Sequence, residues 1–300
     1  MRDPRAIGIA VAVIAAACVW WMVSAKESVR DFASFDADAL RVSDLAGSLH
    51  VEVTGDSRIS VTAHGPSDAL KRLDIMIREG TLVIDQDRGL GWIRIFGLRD
   101  RNVDVTVRIP KGIPVSIDDL VGELYVGDIE APIDINGHIT GGQVGDVTSA
   151  AVALSGSSDL NFGKVSGALV FRLSGSAQAR AGSAQAATLS ISGSGRLEME
   201  EIRSGLALNI RGSGEAAIRS LNGAAEITIS SSGAATIAEG RAAPLVAEIH
   251  GSGTLVFGGV AVDPMLTVTG SGRITVATYE GTLIADGDNI VVNGERVASR

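Results

Sequence analysis

The sequence predicts an all-β fold, a single-stranded parallel β-helix with coils of about 19 residues, and three observations predict it. The first is a Gly-Ser marker at Gly156, Gly175, Gly193, Gly212, Gly251 and Gly270, with Ser231-Ser232-Gly233 in its place once. The steps between markers are 19, 18, 19, 19, 20 and 19 residues. The second is an apolar pattern of step two between markers, which is the period of a strand and not of a helix. The third is composition: Gly makes up 37 of 300 residues, Pro only 7, and aromatics 4%. A chain so poor in aromatics fills its interior with thin aliphatic layers, and one so poor in Pro is not a disordered Pro/Gly tract.

The chain divides into four parts. Residues 1–25 form a hydrophobic leader: Arg2 and Arg5 precede the uncharged stretch Ala6–Val23, then Val23-Ser24-Ala25 and the charged Lys26-Glu27. A basic start, an apolar run and small residues at a cut after Ala25 are the parts of a secretory signal. The run of 18 residues also approaches the length of a membrane-spanning helix, and Trp20-Trp21 near its end suits a membrane interface. A cleaved signal, an uncleaved anchor through residues 6–23 and a lipoprotein signal at Cys18 all export residues 26 onward. The expected location is the periplasm or the cell envelope and surface, with inner-membrane anchoring if residues 6–23 stay attached.

Residues 26–116 read as an irregular β-rich cap. Leu49–Val53 and Ile59–Thr62 flank Gly55-Asp56; Leu73–Ile77 and Thr81–Asp85 flank Glu79-Gly80; Val103–Val107 alternates cleanly and ends at Pro110. Ser67–Arg72 reads as one helical turn. Gly89–Gly97 is an apolar loop holding Trp92, read as core packing or as a contact surface. A stack of coils needs its end covered, because an open edge invites aggregation.

Residues 117–290 are the coils, and 291–300 a tail. Counted from the marker, offsets four and six are apolar (Leu160/Phe162, Leu197/Met199, Leu255/Phe257), as is offset nine (Val165, Ala184, Ile202, Leu221, Val260, Tyr279). The arm before the next marker is also apolar, as in Leu206/Leu208/Ile210 and Ala225/Ile227/Ile229. Each coil therefore reads as strand, Gly-Ser turn, strand, bend, strand. Gly accepts the positive φ of a tight turn, and Ser can bond the adjacent backbone there. Glu239–Pro244 absorbs the extra residue of the 20-residue step.

This layout resembles the GIN-domain family, described as putative auto-transporter adhesin heads, over roughly residues 32–290. The residues that carry the resemblance are Val51-Glu52-Val53, Gly80–Ile84, Val105–Pro110, and then the stacked Ile191–Gly195, Gly212–Gly214 and Gly270–Gly272. The resemblance implies a right-handed parallel β-helix in an exported bacterial protein with no established catalytic site.

The residues themselves say little about chemistry. With 26 Lys+Arg against 35 Asp+Glu, the chain is a poor partner for nucleic acid, whose phosphates demand cations. The single Cys excludes an internal disulfide and a Cys-based zinc site. His50, His64, His138 and His250 have no His or Cys at metal-ligand spacing. Serines recur once per coil and read as structural, with no strand-to-helix nucleophile elbow and no phosphate loop. Asp118, Asp119, Glu123, Asp128, Glu130 and Asp134 form an acidic run; it fits a solvated outer face, or else a calcium-assisted polysaccharide enzyme with a nearby Arg. Asp286–Asn289 and Gly141–Asp146 read as turns. Glu198, Glu200, Glu201, Arg196, Arg203 and Arg211 read as a mixed-charge outer face.

No catalytic, cofactor-binding or metal residue is therefore assigned. The expectation is a non-enzymatic exported solenoid that binds a protein or glycan ligand at its surface, as an adhesin-like head or envelope scaffold. The alternatives are a carbohydrate-active β-helix enzyme and a membrane-anchored envelope-stress or signalling accessory. Small outward side chains disfavour the enzyme, which needs unlike polar groups and aromatics in a groove.

Overall fold

The computed structural model describes residues 27–86 and 102–297. The leader, the Trp92 loop and the last three residues lie outside them. Their strands form one continuous sheet. In chain order these are β1 (Glu27–Asp31), β2 (Ala39–Ser43), β3 (Ala46–Thr54) and β4 (Ser60–Pro66), then the turn of helix α1 (Ser67–Leu70), β5 (Leu73–Arg78), β6 (Thr81–Gln86), β7 (Val103–Pro110), β8 (Val115–Val126) and β9 (Pro132–Val144). There follow β10 (Ser149–Leu154), β11 (Asp159–Phe162), β12 (Val165–Gly175), β13 (Gln178–Gly193), β14 (Arg196–Gly212), β15 (Glu215–Ser231) and β16 (Ala234–Gly251). The chain ends in β17 (Thr254–Val262), β18 (Met265–Gly270), β19 (Arg273–Glu280), β20 (Ile284–Asp286), β21 (Ile290–Val292) and β22 (Glu295–Arg296).

From β8 to β19 every pairing is parallel and each coil lies on the one before it. Leu197 stands beside Ala216, and Ala216 beside Ala235; on the other arm Leu208, Ile227 and Ala247 line up in the same way. The inward residues of both arms are buried. One expectation changes at the bend. In β14, β15 and β16 the ladder runs through it, so each coil is a single long strand rather than two. β14 and β15 keep one register through the bend, whereas β13 with β14 and β15 with β16 each shift by one residue there.

The inward position at offset nine also drifts. Val165, Ala184, Ile202 and Leu221 are buried as expected, but Val260 is only half-buried and its neighbour Ala261 is the buried residue, beside Ala242. Two local changes explain this. The extra residue lies at Ala243-Pro244, where the register of β15 and β16 shifts, and another shift falls between Phe257 and Val260, around Gly258-Gly259. Tyr279 is partly buried beside Ala261.

The marker turn needs two glycines for different reasons. Gly212 has φ +106°, and a Cβ there would lie 2.6 Å from the carbonyl oxygen of Gly193 in the coil before. Gly214 points inward, where a Cβ would meet the Ile191 Cγ2 at 2.4 Å. Ser231 takes the marker position at φ 91°, an unfavourable conformation for a residue with a side chain. The marker serines act between coils. Ser174 and Ser192 donate their hydroxyls to the carbonyls of Leu154 and Leu173, at 3.2 and 3.3 Å.

Inside, bulk is traded between layers. Phe162 and Phe171 meet edge to face at 5.9 Å. The next coil lines its interior with Ala177, Ala179, Ala181, Ala184 and Ala187, all buried. Small residues beside large ones keep the density of the interior constant along the stack.

The beginning of the chain is laid out differently. β2 lies between β6 and β8, and β3 between β7 and β8, all parallel. The coil made of β6 and β7 therefore sits outside the coil made of β2 and β3, although it follows it in sequence. After β7 the chain passes the β2–β3 coil to start β8 on its other side. Antiparallel strands finish this end: β4 on β7, β1 on β4, and β5 on β6. At the other end β22 folds back antiparallel on β21, and Arg296 bonds the Asp288 carbonyl and the Asn289 side chain. Among the described residues no helix is long and apolar enough to cross a membrane.

Candidate functional site

The sheet's outer face is where side chains meet solvent, and its rungs fix which residues become neighbours. Residues at equivalent positions of successive coils stand in columns about 4.8 Å apart. Charged columns pair along the stack: Arg180 with Glu198 (3.2 Å), Arg196 with Glu215 (2.6 Å), Arg219 with Glu200 (2.6 Å) and Arg241 with Glu280 (2.7 Å). Hydrogen bonding and charge hold the Arg219 and Arg241 guanidiniums above their ordinary values and push the Glu280 carboxyl below its own. Lys111 is raised in the same way by Glu130, 2.7 Å away. These pairs are about half exposed and screened by solvent, so each adds little to stability.

The acidic run is dispersed into local roles. Asp118 faces Arg41 at 2.8 Å and Glu130 holds Lys111. Asp128 accepts the backbone N–H of Asp146, whose own carboxylate accepts the N–H of Lys164, each at 2.8 Å. Two carboxylates thus cap the bends of successive coils. Among the described residues no three His, Cys, Asp or Glu side chains come together as metal ligands. Sequence reasoning missed this capping ladder, although its signal is present: Gly127-Asp128 and Gly145-Asp146 recur at 18 residues.

The histidines part ways. His138 Nδ1 lies 2.9 Å from the Ser155 carbonyl oxygen, His250 Nε2 lies 3.6 Å from Glu248, and His64 is exposed. His50 does something sequence reasoning did not foresee. It stacks on Tyr125, with ring centroids 4.7 Å apart and planes at 23°. The pairing of β3 with β8 places them side by side, and that of β8 with β9 puts Gln143 on the other side of Tyr125. A shallow groove of about 260 Å³ runs along the pair, lined by His50, Glu52, Tyr125, Gly127 and Gln143 among others. A second, of about 270 Å³, lies by the capping ladder and includes Asp146, Lys164, Ser183 and Arg203.

Comparison with known proteins bears on the family. Residues 42–234 match the family described as "Putative auto-transporter adhesin, head GIN domain". No curated protein is similar to the chain in sequence. A solved structure titled a putative lipid binding protein, from Parabacteroides distasonis, is 16% identical over 86% of this chain and 98% of its own, at a TM-score of 0.40. A putative adhesin from Bacteroides fragilis is 16% identical over 77% of this chain and 97% of its own, at 0.43. Another putative adhesin, from Parabacteroides merdae, is 16% identical over 86% and 98%, at 0.41. With more than half of its length matched, the chain belongs to the GIN-domain family of putative auto-transporter adhesin heads.

Proposed function

We propose that this protein is an exported, adhesin-like binding scaffold, not an enzyme, and that it works through the outer face of its sheet. The observation that carries this reading is the use of polar side chains. Of the six acidic groups that suggested hydrolysis or lyase chemistry, Asp118 pairs with Arg41, Glu130 pairs with Lys111 and Asp128 caps a bend. What remains is an uninterrupted parallel surface that grows by one rung per coil. Such a surface offers area and repetition, which suit binding an extended partner. The leader supports export of residues 26 onward, to the periplasm or the cell surface.

The test is protease treatment of intact cells beside lysed cells, blotted for residues 26–300, together with retention of protein-coated beads on cell or matrix surfaces. Digestion on intact cells and bead retention are the expected results. Protection until the envelope is opened overturns the adhesin reading and leaves a periplasmic scaffold.

A further inference from the structure

We infer that the groove beside His50 and Tyr125 is a carbohydrate subsite, which binds an uncharged oligosaccharide lying along the stack. This deepens the binding reading above and rests on it. The argument begins with the ring pair. On the outer face Tyr125 is 41% exposed, and it is held in place by its stack on His50. A fixed aromatic with a wet hydroxyl suits a sugar, which presents C–H groups on one face and hydroxyls at its rim. Fixing the ring beforehand reduces the ordering cost of binding.

The polar groups that a sugar needs stand in the same column. From β8 it runs through Tyr125, Gln143 and Asn161 on successive rungs. Both amides are exposed, and neither side chain makes a hydrogen bond among the described residues. Each offers a carbonyl oxygen and two N–H donors, which matches a pair of adjacent ring hydroxyls. Arg and Glu columns further along the stack are tied to one another and present no such free groups. The space is there as well. Gly127 lines the groove without a side chain, and a Cβ at Gly141, two residues before Gln143 on β9, would meet nothing within 4 Å. Rungs about 4.8 Å apart are close to the length of one pyranose, so an extended glycan can present one unit per rung. An acidic glycan fits less well, because the only carboxylate lining the groove among the described residues, Glu52, already holds Arg108 at 2.9 Å and the chain carries −9 overall.

The experiment uses the full chain without its leader on an array of neutral and acidic oligosaccharides, followed by calorimetric titration of the tightest soluble neutral binder. The expected result is that Tyr125→Ala weakens binding at least tenfold and Gln143→Ala about threefold, with unchanged melting. Tyr125→Phe, which keeps the ring, stays within about threefold of the wild type. Arg241→Ala, remote along the stack, leaves binding as it was. Neutral-glycan binding that is insensitive to Tyr125→Ala and Gln143→Ala overturns the subsite while the binding reading stands. An array that is silent, or bound only by acidic glycans, overturns the inference; bead retention in the same preparation then still supports a scaffold that recognises something else. Loss of both array binding and bead retention removes the two together.

Discussion

The regular coils and the strands from β1 to β8 use the same strand chemistry to opposite ends. From β9 to β19 each coil presents a backbone edge to the next, and the glycine turns make every edge alike. Before that, the chain reverses order, laying β6 and β7 outside β2 and β3, and finishes with antiparallel strands. The difference teaches where the information lies. A stack continues as long as turns repeat; it stops only where a segment folds back to occupy the exposed edge.

That contrast can be broken most severely by deletion. Removing one coil from marker to marker, residues 194–212, joins Gly193 to Ser213 and preserves the turn. The expected product is soluble and monomeric, with a lower urea midpoint. Removing β4 to β7, residues 60–110, takes away the outer coil and the antiparallel strands β4 and β5 that cover it. The expected product is aggregated by size-exclusion chromatography. A soluble monomer from the second deletion would show that the stack closes without its cover.

Single residues sharpen the comparison. Phe171 is fully buried against Phe162 and stands between Val152 and Leu189 in the coils on either side. Phe171→Ala is expected to cost about 3–5 kcal/mol in urea unfolding. Gly212 and Gly112 both have positive φ, +106° and +83°, but only Gly212 has backbone within reach of a Cβ. Gly212→Ala is expected to cost about 2–3 kcal/mol from strain and clash together, and Gly112→Ala about 1 kcal/mol from the backbone conformation alone. Equal losses would mean that φ, not the approach of the neighbouring coil, is what the marker glycines serve.

The smallest effect is electrostatic. Arg241 holds the Glu280 carboxyl below its ordinary value across two coils. A carboxyl depressed on folding adds stability that is fully present above its unfolded value and is lost as pH falls through the folded one. Urea midpoints of the wild type and of Arg241→Gln are therefore expected to differ slightly at neutral pH and to converge below the carboxylate range. A difference that persists in acid would assign it to packing instead.

Much of the regular stack was legible because its period repeats the same physical demand once per coil. Gly212 and Gly214 announce a turn, and Leu206, Leu208 and Ile210 announce an inward arm. The drift from Val260 to Ala261 was not legible, since a bulge changes register without changing residue type. Nor was the reversed order of coils, because β6 and β7 read as strands wherever they lie. The His50–Tyr125 stack was hidden for the same reason. It depends on β3 meeting β8 across 75 residues, and no periodic signal links them. The Asp128 and Asp146 caps were visible only to a search for Gly-Asp at coil spacing.

The crossing from β7 past the β2–β3 coil to β8 sets a timetable for a chain that emerges from its N-terminus. β2 and β3 are made early, yet both of their neighbours come later: one edge waits for β7, complete at residue 110, and the other for β8, complete at residue 126. Closing those long loops is the slow, entropically costly step. Everything after it adds one rung to a finished edge, at the pace at which the chain is delivered. The segment that ends the stack in space is thus also the one that starts it in time, and until it closes the emerging protein has nothing on which to grow.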